Sequence, residues 1–264
     1  VKLRTLAAIA AFAWTLPAAA QHNRAEIKGA DTLDLALLRI DEGRHLGQPV
    51  ADVEVRTEAG VARFGALTAG QPTVLLLGYY ACRGVCPTTI RNLAQALRGV
   101  HAPEHRVVVL SFDPNDTLDD LDAVKSDLGV LPASWTFGLL ARDAALRLTQ
   151  SVGYRFFFSE RDQVYVHPSV LVFLSPDGRV MRYLYGVDPR PQDLKLALIE
   201  AGQRTHRLND LVNMAKLVCY RYDPARSRYV LHPAVIFGAL GLGVLLVTGV
   251  AAFTFRRSIQ GAQS

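Results

Sequence analysis

A chain of 264 residues, half of them apolar, has the material for one sizeable core plus targeting segments, which excludes an extended disordered chain. Its formal charge of +5 comes mostly from the ends: without Lys2, Arg4, Arg256 and Arg257, 25 basic residues face 24 acidic ones. So neutral a middle offers no electrostatic footprint for nucleic acid, and none is expected as a partner.

Residues 1–20 read as a signal peptide. Lys2 and Arg4 form a charged start, Leu6 to Leu16 an apolar run, and Ala18 to Ala20 a small-residue cleavage site before Gln21. Residues 21–46 are polar and mixed, as a tether would be. From Gly47, apolar and polar residues alternate on either side of Glu58-Ala59-Gly60, which predicts a hairpin. The apolar run Val74 to Leu77 predicts a buried central strand that ends at Gly78 and leads through Tyr79 and Tyr80 to Cys82 and Cys86. Pro87 opens a helix whose period shows in Ile90, Leu93, Leu97 and Val100.

Arg106 to Phe112, apolar from Val107 through Leu110 and again at Phe112, reads as a buried parallel strand. Asp113 to Thr117 turns into a helix reaching about Leu128. Ser134 to Leu140 predicts a strand and Ala141 to Val152 a helix. Tyr154 to Val166 is aromatic with a polar middle, a second hairpin, and His167 follows it directly. Val170 to Leu174 and Val180 to Tyr185 pair across a Ser175-Pro176-Asp177-Gly178 turn, and Gln192 to Arg204 closes the domain as a helix. This order predicts a thioredoxin-like, three-layer α/β sandwich with a mixed sheet over residues 47–205.

Residues 206–232 read as a juxtamembrane linker. Pro233 to Phe255 is 23 residues without a charge, the length and composition of a transmembrane helix. A cytoplasmic tail, 256–264, then carries Arg256 and Arg257. Lys216, Arg221, Arg226 and Arg228 flank the other end, so the topology rests on the signal peptide.

The chemistry is expected at the cysteine loop. A helix N-terminus and the Arg83 cation both favour thiolates, so at least one of Cys82 and Cys86 is expected to titrate low. A structural disulfide closing so short a loop would constrain little of the unfolded chain, so a redox pair or a metal-binding pair is the expectation and the structural bridge the alternative. Zinc needs four ligands for a closed site, and the remaining cysteine, Cys219, lies beside the apolar C-terminal stretch. His167 alone carries no assignment, because a histidine at a strand edge is ordinarily just hydrogen-bonded. Asp116 reads as a helix cap; Asp113 stands open between a turn residue and a carboxylate near the cysteines. Tyr79, Tyr80 and Phe156 to Phe158 read as core or shielding around the site.

Three stretches, GYYACRGVCP at 78–87, SFDPND at 111–116 and HPSVLVFLSPDGRVMRYLYG at 167–186, resemble the Sco/SenC family. LVCYRYDPARSRY at 217–229 is similar to a juxtamembrane stretch of some members. These are thioredoxin-fold proteins anchored at the membrane and tied to copper delivery to cytochrome c oxidase. The resemblance covers roughly residues 45–205 and implies that Cys82, Cys86 and His167 bind one copper ion, Cu(I) or Cu(II). Soft thiolates suit the cuprous ion. Arg83 stands where relatives commonly carry proline, and Arg83 and Asp113 are the candidates for support around the ligands. The implied setting is the bacterial inner membrane with the domain in the periplasm. The implied partners are the copper-site subunit of cytochrome c oxidase and other periplasmic copper chaperones or thiol reductases. The alternative is a thiol–disulfide oxidoreductase in which Cys82 and Cys86 are the redox pair.

Overall fold

The computed structural model describes residues 39–82, 85–100, 103–202, 220–223, 226–231, 237–238 and 240–250. The predicted signal peptide, the tether up to residue 38, Arg83, Cys219 and both ends of the apolar C-terminal stretch lie outside the described residues.

Three parallel strands form the centre: β3 (Thr73–Gly78), β4 (Arg106–Ser111) and β5 (Trp135–Leu139). The expected hairpin of β1 (Glu54–Thr57) and β2 (Gly60–Arg63) adds to β5 through β1. On the other side β8 (Val170–Leu174) runs antiparallel to β3 and carries β9 (Val180–Tyr185). The seven strands lie in the order β2-β1-β5-β4-β3-β8-β9, a mixed sheet in a thioredoxin-like α/β fold. Every residue of β3 is buried, because helices cover both faces. Val74 and Leu76 pack with Ile90 and Leu93 of α3 (Val85–Arg98), Leu121 of α4 (Leu118–Leu128) and Leu194 and Leu198 of α6 (Pro191–Gly202). Leu75 and Leu77 face the other way, onto Phe64 of α2 (Phe64–Thr68) and Leu148 of α5 (Arg142–Ser151). The sheet is thus the middle of three layers, and its parallel strands deliver the loops after β3, β4 and β5 to one edge.

Gly138 shows how tightly the layers close. A Cβ there would lie 2.4 Å from Val55 Cγ1, so only glycine lets β5 sit against β1.

Two segments are more ordered than the sequence suggested. The last residues of the tether already belong to the domain: Ile40 is buried, α1 (Glu42–His45) follows, and the Gly47 N–H donates to the Val180 carbonyl at 2.7 Å. Within the predicted linker, β10 (Tyr220–Asp223) and β11 (Arg228–Leu231) form an antiparallel hairpin whose Tyr222 and Tyr229 are buried. The aromatic hairpin predicted before His167 is β6 (Phe157–Ser159) with β7 (Val164–Val166), a two-stranded sheet of its own. Among the described residues no helix is long and apolar enough to cross a membrane. Residues 240–250 are helical, with Leu240, Leu245 and Val247 exposed, and the predicted span continues beyond the described run.

Candidate functional site

The cysteine loop leaves β3 at Gly78 and enters α3. Cys82 is half-buried in the loop, Cys86 is buried in the first turn of α3, and both are thiols rather than a disulfide. The loop is held from the side by the turn after β4. The carboxylate of Asp116 accepts hydrogen bonds from the Tyr80 N–H, the Ala81 N–H at 3.1 Å and the Ser111 hydroxyl at 2.5 Å. The Tyr80 N–H, which leaves the sheet at a buried residue, would otherwise be stranded. Asp116 therefore is not the helix cap that the sequence suggested. Thr117 caps α4, in a reciprocal pair with Asp120. Asp113 is buried too, but its Oδ1 accepts from the backbone and side-chain nitrogens of Asn115, at 2.9 and 3.0 Å, and from the Tyr165 hydroxyl at 3.4 Å. It shapes its own turn and touches the aromatic hairpin; the carboxylate bonded to the cysteine loop is that of Asp116.

His167 arrives from the opposite side, between β7 and β8. Its Nε2 stands 3.5 Å from the Cys86 sulfur. Its Nδ1 lies 2.7 Å from the Tyr154 hydroxyl and 3.2 Å from the Pro168 carbonyl. A carbonyl only accepts, and the Tyr154 hydroxyl lies 2.9 Å from the Leu77 carbonyl, to which it donates its single hydrogen. The partners thus place the proton on Nδ1, donated to Tyr154 and Pro168, and leave the Nε2 lone pair towards sulfur. Burial pushes the His167 pKa down, opposed by the Pro168 carbonyl and by charge on Cys82, so the ring is neutral at neutral pH. Phe112 and Tyr79 close around the imidazole edge-on, with ring centroids at 5.6 and 6.0 Å.

The thiols are unequal. Cys86 is pushed well up by its hydrogen bond with Cys82, by burial and by charge on Cys82. The helix N-terminus, expected to lower the thiols, is outweighed at Cys86 by these effects. Tyr79 is pushed up as well, by burial first and then by Cys82. Arg83 lies outside the described residues, so its expected influence has no described geometry.

Tyr154 and Asp116 are the two residues that sequence reasoning missed. Tyr154 gave no sign beyond being an aromatic before a hairpin. Asp116 had one available: the Thr117-x-x-Asp120 pattern names its own cap and sets Asp116 free for another task.

As the side chains lie, no three His, Cys, Asp or Glu donors among the described residues stand together as a formed metal group. Cys86 is paired with His167 and hydrogen-bonded to Cys82, which lies on the more exposed part of the loop. Two sulfurs and one imidazole nitrogen suit a soft ion of low coordination number, such as Cu(I), far better than a hard one. The donor chemistry fits, with the Nε2 lone pair turned to the Cys86 sulfur.

Among known families, the SCO1/SenC profile matches residues 54–198, more than half of the chain. Solved structures share the fold. A protein from Aquifex aeolicus VF5 named for electron transfer is 26% identical, with a TM-score of 0.55 over 61% of this chain and 99% of that one. A SCO1/SenC family lipoprotein from Bacillus anthracis str. Ames is 16% identical, with a TM-score of 0.50 over 56% and 92%. Arabidopsis thaliana ScoI, crystallised with copper bound, is 17% identical, with a TM-score of 0.50 over 59% and 99%. At the identities of the last two, the likeness is one of fold alone. No curated protein matches the chain.

Proposed function

Because the chain belongs to the SCO1/SenC family, we propose that it is an exported, membrane-anchored copper-binding assembly factor. It delivers copper to the copper site of cytochrome c oxidase, or prepares the thiols of that site to receive it. Cys82, Cys86 and His167 hold the ion as cargo. The observation that carries this reading is the pairing of Cys86 Sγ with His167 Nε2 at 3.5 Å, with Nδ1 occupied by Tyr154. A metal-binding imidazole needs its second nitrogen fixed in this way. Arabidopsis ScoI, with copper in the same fold, supports the choice of metal. Asp113 supports the site through Tyr165, which packs edge-on to Tyr79 at 5.3 Å. Arg83, which stands between the cysteines in the sequence, belongs to the same proposal as a supporting cation. The signal-like start and the uncharged run Pro233 to Phe255 support an anchor at the bacterial inner membrane with the domain in the periplasm.

The test is an anaerobic Cu(I) titration of the reduced full chain against a competing chelator. One tightly held equivalent is expected, lost in Cys82→Ser or Cys86→Ser because a hydroxyl is a poor soft ligand. Weaker retention is expected in His167→Ala. Binding that ignores all three substitutions would refute the site.

One observation favours thiol exchange as a second reading: Cys82 is partly exposed, and Cys86 is buried with a raised pKa. Such a pair reduces a partner disulfide in two steps. The Cys82 thiolate attacks one partner sulfur, forming a mixed disulfide and releasing the other partner sulfur as a thiolate. Cys86 loses its proton and attacks the Cys82 sulfur, so that the second partner thiolate leaves and a Cys82–Cys86 disulfide remains. Two electrons pass to the partner. His167→Ala separates the readings, because exchange needs no imidazole ligand and copper retention does.

A further inference from the structure

The hairpin β10–β11 lies in a stretch whose composition suggested only a linker, yet its described residues are fastened to the domain from both strands and the turn. The Tyr222 hydroxyl donates to the Tyr183 carbonyl at 2.6 Å, and the Tyr185 N–H donates to the Ser227 hydroxyl at 2.6 Å. Side chains of the hairpin thereby satisfy backbone groups of β9, the last strand of the sheet. The Tyr229 N–H donates to Asp193 at 3.0 Å and its hydroxyl to Glu200, both on α6. Arg182 pairs with Glu200 and lies 4.3 Å from the centre of the Tyr222 ring. A segment so held cannot swing as a free linker does.

Its two faces differ. Tyr222 and Tyr229 oppose each other in register and are buried against the domain. The alternate positions, Arg221 opposite Val230 and Asp223 opposite Arg228, belong to the other face, on which Arg221 and Arg228 are exposed; Arg226 stands exposed beside the turn. Three arginines against one aspartate is a local excess in a chain whose middle is otherwise neutral. Residues 232–236 lie between β11 and the first described helical residue of the apolar stretch, Phe237. Those few residues span at most about 20 Å.

We propose that the outer face of the β10–β11 hairpin, through Arg221, Arg226 and Arg228, seats on anionic lipid headgroups, so that the domain stands against the membrane in one posture. This rests on the reading of residues 233–255 as the anchor. The anchor supplies residence at the bilayer and the arginines supply orientation. Each arginine near an anionic surface favours the seated state about fivefold. That is too little to hold a soluble protein, and enough to orient one that is already tethered within about 20 Å.

The test uses the full chain in nanodiscs of phosphatidylcholine alone or with phosphatidylglycerol, read by hydrogen exchange of the amides of residues 220–231. Exchange is expected to slow at least about fivefold on the anionic discs and to return to the zwitterionic rate at about 1 M salt. The triple substitution Arg221→Gln, Arg226→Gln and Arg228→Gln, all at exposed positions, is expected to remove the difference and leave the fold intact. Equal rates on both discs would overturn the proposal. Carbonate washing of membranes from cells producing the full chain tells the two failures apart. If the chain stays in the pellet while exchange ignores lipid charge, the anchor stands and the seating falls. If the wash releases the chain, the anchor reading fails and takes the seating with it.

Discussion

One hydroxyl decides which nitrogen His167 offers to the site. Tyr154 accepts from Nδ1 and passes its own hydrogen to the Leu77 carbonyl, which ties the ring to the strand that feeds the cysteine loop. Tyr154→Phe keeps the ring shape and removes that link, leaving the Pro168 carbonyl at 3.2 Å as the weaker restraint. Copper affinity is expected to fall about tenfold or more, as for the loss of other groups that orient a metal-bound histidine. Nitrogen NMR of the metal-free protein should show mixed His167 tautomers where the parent shows one. A parent-like spectrum and affinity would mean that Tyr154 is only packing. The lowered pKa of His167 has a separate consequence. As pH falls below the ordinary 6.5, the unfolded chain takes up a proton before the folded one does. The stability given by neutral His167 is complete above that pH and is lost as pH drops towards the folded value. Melting temperature measured from pH 7.5 to 5 should fall more steeply in the parent than in His167→Gln. These roles were illegible in the sequence because they depend on the Tyr154 hydroxyl, which only the folded chain ties to the distant Leu77 carbonyl.

At the scale of elements, the site is a loop after β3 braced by the loop after β4. The strands themselves were legible: unbroken apolar runs such as Val74 to Leu77 and Val107 to Leu110 mean burial on both faces, and both are central parallel strands. The brace was not, since Asp113 and Asp116 stand in the same turn and only tertiary structure decides which one reaches Tyr80 and Ala81. Asp116→Ala leaves the buried Tyr80 N–H and Ser111 hydroxyl without their acceptor and should cost about 2–4 kcal/mol of stability in denaturant unfolding, whereas an exposed cap substitution such as Thr117→Ala should cost only about 1 kcal/mol. The same bracing keeps Cys86 inside and Cys82 at the rim. Alkylation of the native reduced protein at pH 8 should label Cys82 first, with Cys86 reacting only after Asp116→Ala or denaturation. Equal rates at both sulfurs in the parent would show that burial and the neighbouring thiol do not restrain Cys86 as described.

The whole molecule joins the sheet to its C-terminal segment through tyrosines. A run reading Tyr-Arg-Tyr-Asp looks like a linker because its buried face is made of amphipathic rings rather than aliphatic side chains, and because the groups that receive it, Arg182, Asp193 and Glu200, are themselves charged. Composition cannot foresee such a match. Geometry can measure its weight. Tyr229 is buried, packs its ring 5.4 Å from that of Tyr222, and bonds both Asp193 and Glu200. Tyr229→Ala should cost about 3–5 kcal/mol by the loss of a buried aromatic. The Glu200→Gln change should cost less, since the amide oxygen can still accept from Tyr229 while the charge that pairs with Arg182 is gone. Combined, the two should cost less than their separate losses added together, because they share one network. Denaturant unfolding of the full chain and its three variants measures this directly. Strict additivity would mean that the hairpin lies on the domain without being coupled to it, and a domain that is not coupled to its own C-terminal segment has no fixed posture to lend to the site.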